Sequence, residues 1–149
     1  MSDERKSYLP AGLPIPVPES DGLSAPFWDG LKQESVRVQI CGQCSTWQWG
    51  PEWLCHRCHS FDMRWQEVEP KGVVHTIERV WHPVHPALKD AGPYLLVLVE
   101  LPAASNLRML GNLVGDPMRQ VPVGTPVKGV FEHHESGDRA WTLLQWALE

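Results

Sequence analysis

The second half of the chain alternates apolar and polar residues in short segments, a pattern typical of β-strands with one buried face. Turn-forming residues at 102–106 and 136–138 separate neighbouring segments. Five strands is the count of a small Greek-key barrel, so we predict a mainly β fold. The predicted strands are Val73 to Trp81, Tyr94 to Leu101, Leu107 to Val114, Val127 to Phe131 and Ala140 to Trp146.

One predicted strand departs from this alternation. The run from Tyr94 to Val99 is apolar at every position. Such a run is typical of a strand covered on both faces. We therefore expect a ribbon, a helix or a partner protein to cover its outer face.

A helix and a further strand are predicted upstream. Ser24 is a plausible N-cap, and Phe27, Trp28 and Leu31 share one helical face. This short amphipathic helix either covers the neighbouring cysteine-rich segment or docks on a partner. Alternation from Val36 to Ile40 then predicts a strand that leads into the first cysteine.

The N-terminal segment has a different composition. Four prolines occur in the ten positions from Leu9 to Pro18, which favours an extended arm. We predict three parts: a Pro-rich arm over 1–20, a helix plus zinc ribbon over 21–69, and a barrel over 70–149.

The four cysteines form two Cys-x-x-Cys pairs ten residues apart. A two-residue gap lets both thiolates of a tight turn point at one ion, and two such turns complete a tetrahedral site of four sulfurs. Cys41, Cys44, Cys55 and Cys58 therefore predict a closed zinc site. With all four positions filled, the zinc should stabilise the fold and not activate water.

Three other interpretations of the cysteines remain. Cys55 to His59 also matches the Cys-x-x-Cys-His motif of c-type haem, but this would leave Cys41 and Cys44 without a role. A redox dithiol is the second alternative, although no strand-to-helix junction is evident. The third is iron, mononuclear or in an iron-sulfur cluster, on the same four thiolates.

Charge and hydropathy limit the partners. The net charge is −5 and no basic block occurs. Nucleic-acid binding depends on Lys and Arg, so nucleic acid is not expected as a partner. No apolar run is long enough to span a bilayer, and no signal-peptide core opens the sequence. We expect no membrane partner and a cytoplasmic protein, in which four cysteines rarely form disulfides.

The order of these elements resembles a known family. The features that carry the resemblance are Ala25 to Leu31, the two cysteine turns, Pro70 to Val74, Tyr94 to Leu101 and Val123 to Val127. The chain is similar, over about residues 20 to 149, to the acyl-CoA-associated family with a rubredoxin-like zinc ribbon followed by an OB-fold. That family was first catalogued as a domain of unknown function.

The resemblance implies a partner protein. Members of the family resemble accessory subunits of thiolase-like enzymes, and the catalytic residues lie mainly in the thiolase-like chain. We therefore expect a hetero-oligomeric subunit that supports partner binding and the CoA-ester site, most simply in retro-aldol cleavage of a steroid side chain. An acyltransferase or a hydroxymethylglutaryl-CoA synthase is an alternative setting. A single-strand nucleic-acid-binding module rich in tryptophan is the runner-up.

No catalytic residue is assigned from the sequence, because no Ser-His-Asp or Cys-His set is recognisable. His82 and His85 are candidates for substrate binding, since they lie in the loop between the first two barrel strands. Prolines that stiffen a surface loop explain the same segment without a ligand. An independent enzyme that acts through this loop is the third functional hypothesis.

Overall fold

The fold is described from a computed structural model. It describes residues 17–19, 22–136 and 138–149, so most of the predicted Pro-rich arm over 1–20 lies outside the described residues. The helix and strands are α1 (Ala25–Lys32), β1 (Val36–Cys41), β2 (Trp47–Gln48), β3 (Met63–Val68), β4 (Lys71–Val80), β5 (Tyr94–Leu101), β6 (Leu107–Leu113), β7 (Pro126–Ser136) and β8 (Arg139–Leu148).

The strands form two sheets. The first is a three-stranded antiparallel sheet in the order β2-β1-β3. The second is a closed barrel in the order β4-β5-β6-β8-β7, in which β6 and β8 are parallel at Leu113 and Trp146. The predicted mainly β fold with a five-stranded barrel is confirmed.

The barrel interior is filled by alternate residues of its strands. Val97, Val99 and Leu101 of β5 are fully buried, as is Trp146 of β8 at 1% exposure. Gly111 on β6 makes room for that indole, because a Cβ there would lie 2.7 Å from the ring. Side chains of the described strands thus pack the interior of the barrel.

Helix α1 contacts both sheets. Phe27 and Leu31 are buried, and the helix packs against β1 and β8. Ser24 is the N-cap residue, as predicted, although its side chain makes no capping hydrogen bond. The helix therefore covers the junction between ribbon and barrel.

The two faces of strand β5 are buried to different depths. Its burial alternates along the whole strand, with Tyr94, Leu96 and Leu98 only half-buried on the outer face. Helix α1 packs mainly against β1 and β8, so cover of this outer face by a partner protein stays a prediction. The outer apolar side chains of β5 stay partly open to solvent.

Strand β3 is the third strand of the ribbon sheet. Strand β3 was not predicted, because its exposed Arg64, Gln66 and Glu67 leave little apolar pattern.

None of the helices in the described part of the chain has the length and apolar character needed to cross a membrane.

Candidate metal centre

The four cysteines converge at one end of the ribbon sheet. Cys41 ends β1, Cys44 lies in the turn toward β2, and Cys55 and Cys58 form the turn before β3. The Sγ atoms of Cys41 and Cys58 are 3.6 Å apart, as are those of Cys44 and Cys55. All four sulfurs lie within 4.8 Å of one another.

The two cysteine turns have matching backbone geometry. The amide of Ser45 donates to the carbonyl of Cys41 at 2.9 Å, and the amide of His59 donates to that of Cys55 at the same distance. Ser45 and His59 both adopt left-handed backbone, with φ of 57° and 59°. Each turn therefore folds its second cysteine back toward the first.

The sulfur spacing fits a tetrahedral metal ion. Zinc–sulfur bonds of about 2.3 Å place the sulfurs of a tetrahedral site about 3.8 Å apart. The observed 3.6 Å contacts are close to that separation. Four thiolate donors with no open position are the donor set of structural zinc. The cysteines, bound to zinc, would connect β1, the following turns and β3.

The protonation of the thiols is uneven. Hydrogen bonds with the hydroxyl and the backbone of Thr46 lower the pKa of Cys44 to about 6. A backbone hydrogen bond from Ser60 lowers the pKa of Cys58, but desolvation and the neighbouring thiols outweigh it and raise that pKa to about 12. Four thiolates this close repel each other, and a divalent cation is what lets all four stay deprotonated.

Two buried glutamines hold the segment that carries the second cysteine turn. Gln39 and Gln48 face each other across β1 and β2 and are 2% and 4% exposed. The Gln39 amide donates to the carbonyl of Glu52 at 3.1 Å and accepts from its backbone N–H at 2.9 Å. Gln48 donates to the carbonyl of Leu54 at 3.1 Å and accepts from the backbone N–H of His56 at 2.9 Å.

The histidines beside the cysteines have other positions. Nδ1 of His56 lies 2.8 Å from Oε1 of Gln48. His59 is exposed and continues the second turn. Within the described ranges, the four cysteines are the only group of three or more metal-binding side chains placed to hold an ion.

The aromatic side chains near the cysteines divide into two groups. Trp47, Trp49 and Trp65 are half-buried and pack against the core, with the Trp49 ring 4.5 Å from that of Phe27. Trp53 and Phe61 are instead 63% and 80% exposed. The ribbon therefore shares some aromatics with α1 and presents others to solvent.

His82 and His85 lie in the loop between β4 and β5, and both are exposed. Nδ1 of His85 accepts a hydrogen bond from the backbone N–H of Ala87 at 3.1 Å, which caps a short 3₁₀ turn at Pro86–Leu88. Neither imidazole lines the cavity that this loop covers. Their role in substrate binding stays a prediction.

Two family models match consecutive parts of the chain. Residues 28–64 match the rubredoxin-like zinc ribbon domain of ChsH2, and residues 65–132 match its C-terminal OB-fold domain. The chain is 28% identical over 153 aligned positions to the alpha subunit of 3-oxo-4,17-pregnadiene-20-carboxyl-CoA hydratase from Mycobacterium tuberculosis H37Rv. That alignment covers 93% of this chain but 45% of the relative, so the chain spans less than half the length of this curated protein.

Comparison with solved structures supports the same family. One chain of the Ltp2-ChsH2(DUF35) aldolase is 30% identical, with a TM-score of 0.69 over 90% of this chain and 98% of that chain. A DUF35 protein of unknown function from Sulfolobus solfataricus is 18% identical, with a TM-score of 0.57 over 87% of each chain, and supports the fold alone. The chain therefore belongs to the ChsH2 family, in which a rubredoxin-like zinc ribbon precedes an OB-fold.

Proposed function

We propose that this protein is the accessory subunit of a thiolase-like acyl-CoA aldolase that cleaves the CoA ester of a steroid side chain. The observation that carries the proposal is the match to the Ltp2-ChsH2(DUF35) aldolase, which extends over 98% of the matched chain. The curated relative, named for a steroid CoA ester, supports the same class of substrate. The role includes partner binding and support of the CoA-ester site.

The bond-breaking chemistry belongs, in this proposal, to the partner. The arrangement nearest to a catalytic set among the described residues is Thr142, His133 and Glu34. The His133 ring lies 2.8 Å from the hydroxyl of Thr142 and 3.0 Å from the carboxylate of Glu34. Thr142 is 1% exposed, so its hydroxyl is closed to a substrate. This set ties the end of α1 to the barrel.

Exposed aromatics of the ribbon support a binding role. Trp53 and Phe61 stay in solvent although large apolar side chains are favourably buried at interfaces. We propose that they contact the thiolase-like partner.

Zinc on the four cysteines is the structural part of the proposal. Replacement of Cys58→Ser leaves three sulfurs, so we expect zinc per chain to fall well below one and partner binding to fall with it. Plasma emission spectrometry measures the metal, and Arg57→Ser in the same turn is the matched control. Full zinc content in Cys58→Ser would contradict the assignment.

Co-expression with the thiolase-like protein followed by size-exclusion chromatography tests partner binding. We expect the two chains to co-elute. Separate elution at micromolar concentration, together with salt-dependent binding of single-stranded oligonucleotides, would favour the nucleic-acid module instead.

A further inference from the structure

A cavity lies at the mouth of the barrel, away from the cysteines. It has a volume of about 400 Å³ and lies between the β4–β5 loop, the start of β5 and the end of β6. Small-molecule sites in proteins begin at roughly 300 Å³. Its walls include Leu88, Ala91, Leu96, Leu113 and Pro117. The cavity is therefore large enough for part of an organic ligand.

The chemistry of the lining is selective. Tyr94 and Asn112 are the polar side chains among its described lining residues, and none of these residues is charged. An uncharged, mostly apolar wall favours a neutral ligand and gives nothing to bind the phosphates of CoA. The ligand part that fits here is an apolar ring or chain.

A partly buried chain of hydrogen bonds fixes the orientation of Asn112. Glu132, 4% exposed, accepts from Nε2 of His134 at 2.7 Å and from the amide of Gln145 at 3.2 Å. Gln145 in turn accepts from Nδ2 of Asn112 at 3.2 Å. Since a carboxylate only accepts, each amide must turn its NH₂ group toward Glu132.

This chain of hydrogen bonds orients the Asn112 amide so that its oxygen can accept a hydrogen bond. Nδ2 of Asn112 donates one of its two N–H groups to Gln145, and the aligned chain that ends in a carboxylate strengthens Oδ1 as an acceptor for a ligand. Two of the four side chains, Glu132 and Gln145, are buried, and buried polar groups are costly unless they are satisfied. A hydroxyl group of a ligand would complete the chain.

The walls around this acceptor are held in place. Arg79 on β4 donates from Nε to the carbonyl of Pro117 at 2.7 Å and from Nη2 to that of Arg119 at 3.0 Å. These bonds fix the loop after β6 against β4. The cavity is thus bounded by tethered backbone on one side and by the proline-rich β4–β5 loop on the other.

We propose that this cavity binds the neutral apolar part of a small molecule whose hydroxyl group donates a hydrogen bond to Oδ1 of Asn112. The cavity and its chemistry are independent of the proposed function, whereas the choice of steroids as probes rests on it. Steroid alcohols and long-chain alcohols share the required chemistry, and the experiment separates these two sources.

Equilibrium dialysis with the zinc-loaded full chain tests the proposal. The probes are a 17-hydroxy-3-oxo-4-ene steroid with its 17-ketone, and dodecan-1-ol with its methyl ether. At least one alcohol should bind saturably, about fivefold more tightly than its partner without a donor, the ratio for one neutral hydrogen bond. The alcohol that binds shows whether the ligand is a steroid alcohol or a long-chain alcohol. Adenosine 3′,5′-bisphosphate should not compete with it for the cavity.

Two matched variants complete the test. Ala91→Trp fills the cavity and should weaken binding at least tenfold, whereas Ala87→Trp, exposed in the same loop outside the lining, should not. Asn112→Leu should abolish the difference in affinity between the alcohol and its ether or ketone.

No saturable binding of either alcohol, or unchanged affinity in Ala91→Trp, would overturn the proposal. Equal affinity with and without the donor in the unmodified chain would overturn the role of Asn112. Co-elution with the thiolase-like partner is measured separately, so the two proposals fail independently.

Discussion

At the level of single residues, the cysteine spacing was enough to predict that the four thiols converge, but the residues that position them were not predictable. Alternation from Val36 to Ile40 places Gln39 on a polar face, yet the structure buries Gln39 and Gln48 almost completely. The reason is tertiary: the segment at 52–56 folds over this face and satisfies both amides with its backbone. Strand periodicity contains no information about such a loop.

Gln48→Leu should therefore weaken zinc binding without removing a ligand. The substitution removes the hydrogen bonds of Gln48 with the carbonyl of Leu54 and the backbone N–H of His56, both partly buried and worth about 0.5–1.5 kcal/mol each. Competition with a chromogenic chelator measures the zinc affinity. Gln43→Leu, the same change at an exposed position of the first cysteine turn, is the control. Equal affinities of the two variants would contradict this role.

At the scale of elements, helix α1 joins the two sheets. Phe27 contacts Trp49 of the ribbon, Leu31 is fully buried, and Glu34 after the helix pairs with His133 of β7 at 3.0 Å. The sequence favoured covering and docking equally for this helix. In the structure it covers the junction, because its apolar face lies against β1 and β8.

Leu31→Ala should lower the free energy of unfolding by about 2–5 kcal/mol, the range for truncating a buried leucine. Urea denaturation followed by circular dichroism measures it. Lys32→Ala removes only an exposed ion pair with Asp29 and should change stability by less than about 1 kcal/mol. A loss of similar size in both variants would show that α1 does not pack as described.

The five barrel strands were predicted well because alternation is strong where one face fills a core. Strand β7 extends to Ser136, beyond the predicted end at Phe131, since its pairing with β8 continues as a two-stranded hairpin. Because many residues of that hairpin are polar, the apolar pattern of the sequence does not indicate this part of the strand. Local patterns thus fail where pairing, and not burial, defines the element.

At the level of the whole molecule, the zinc ribbon and the barrel follow each other in the same order as the two matched family domains. The division at 20, 69 and 70 stays a prediction, as does a cytoplasmic location. No periodicity in one chain identifies the partner, because an interface is complementary to a surface that this sequence does not encode.

The paired substitution of Trp53→Ser and Phe61→Ser should abolish co-elution with the thiolase-like partner. Both side chains are mostly exposed, so the free chain should keep its zinc and its melting temperature. Size-exclusion chromatography and calorimetry measure the two effects. Val123→Ser, an exposed apolar position in the loop before β7, is the control and should still co-elute.

We propose that this chain assists an aldolase whose bond-breaking residues lie in another subunit. The most direct measurement is the release of the shortened ketone from a 17-hydroxylated steroid side-chain CoA ester by each protein alone and by the mixture. We expect cleavage by the purified complex and none by this chain alone. Turnover by this chain alone, or no gain when it is added to the thiolase-like protein, would contradict it.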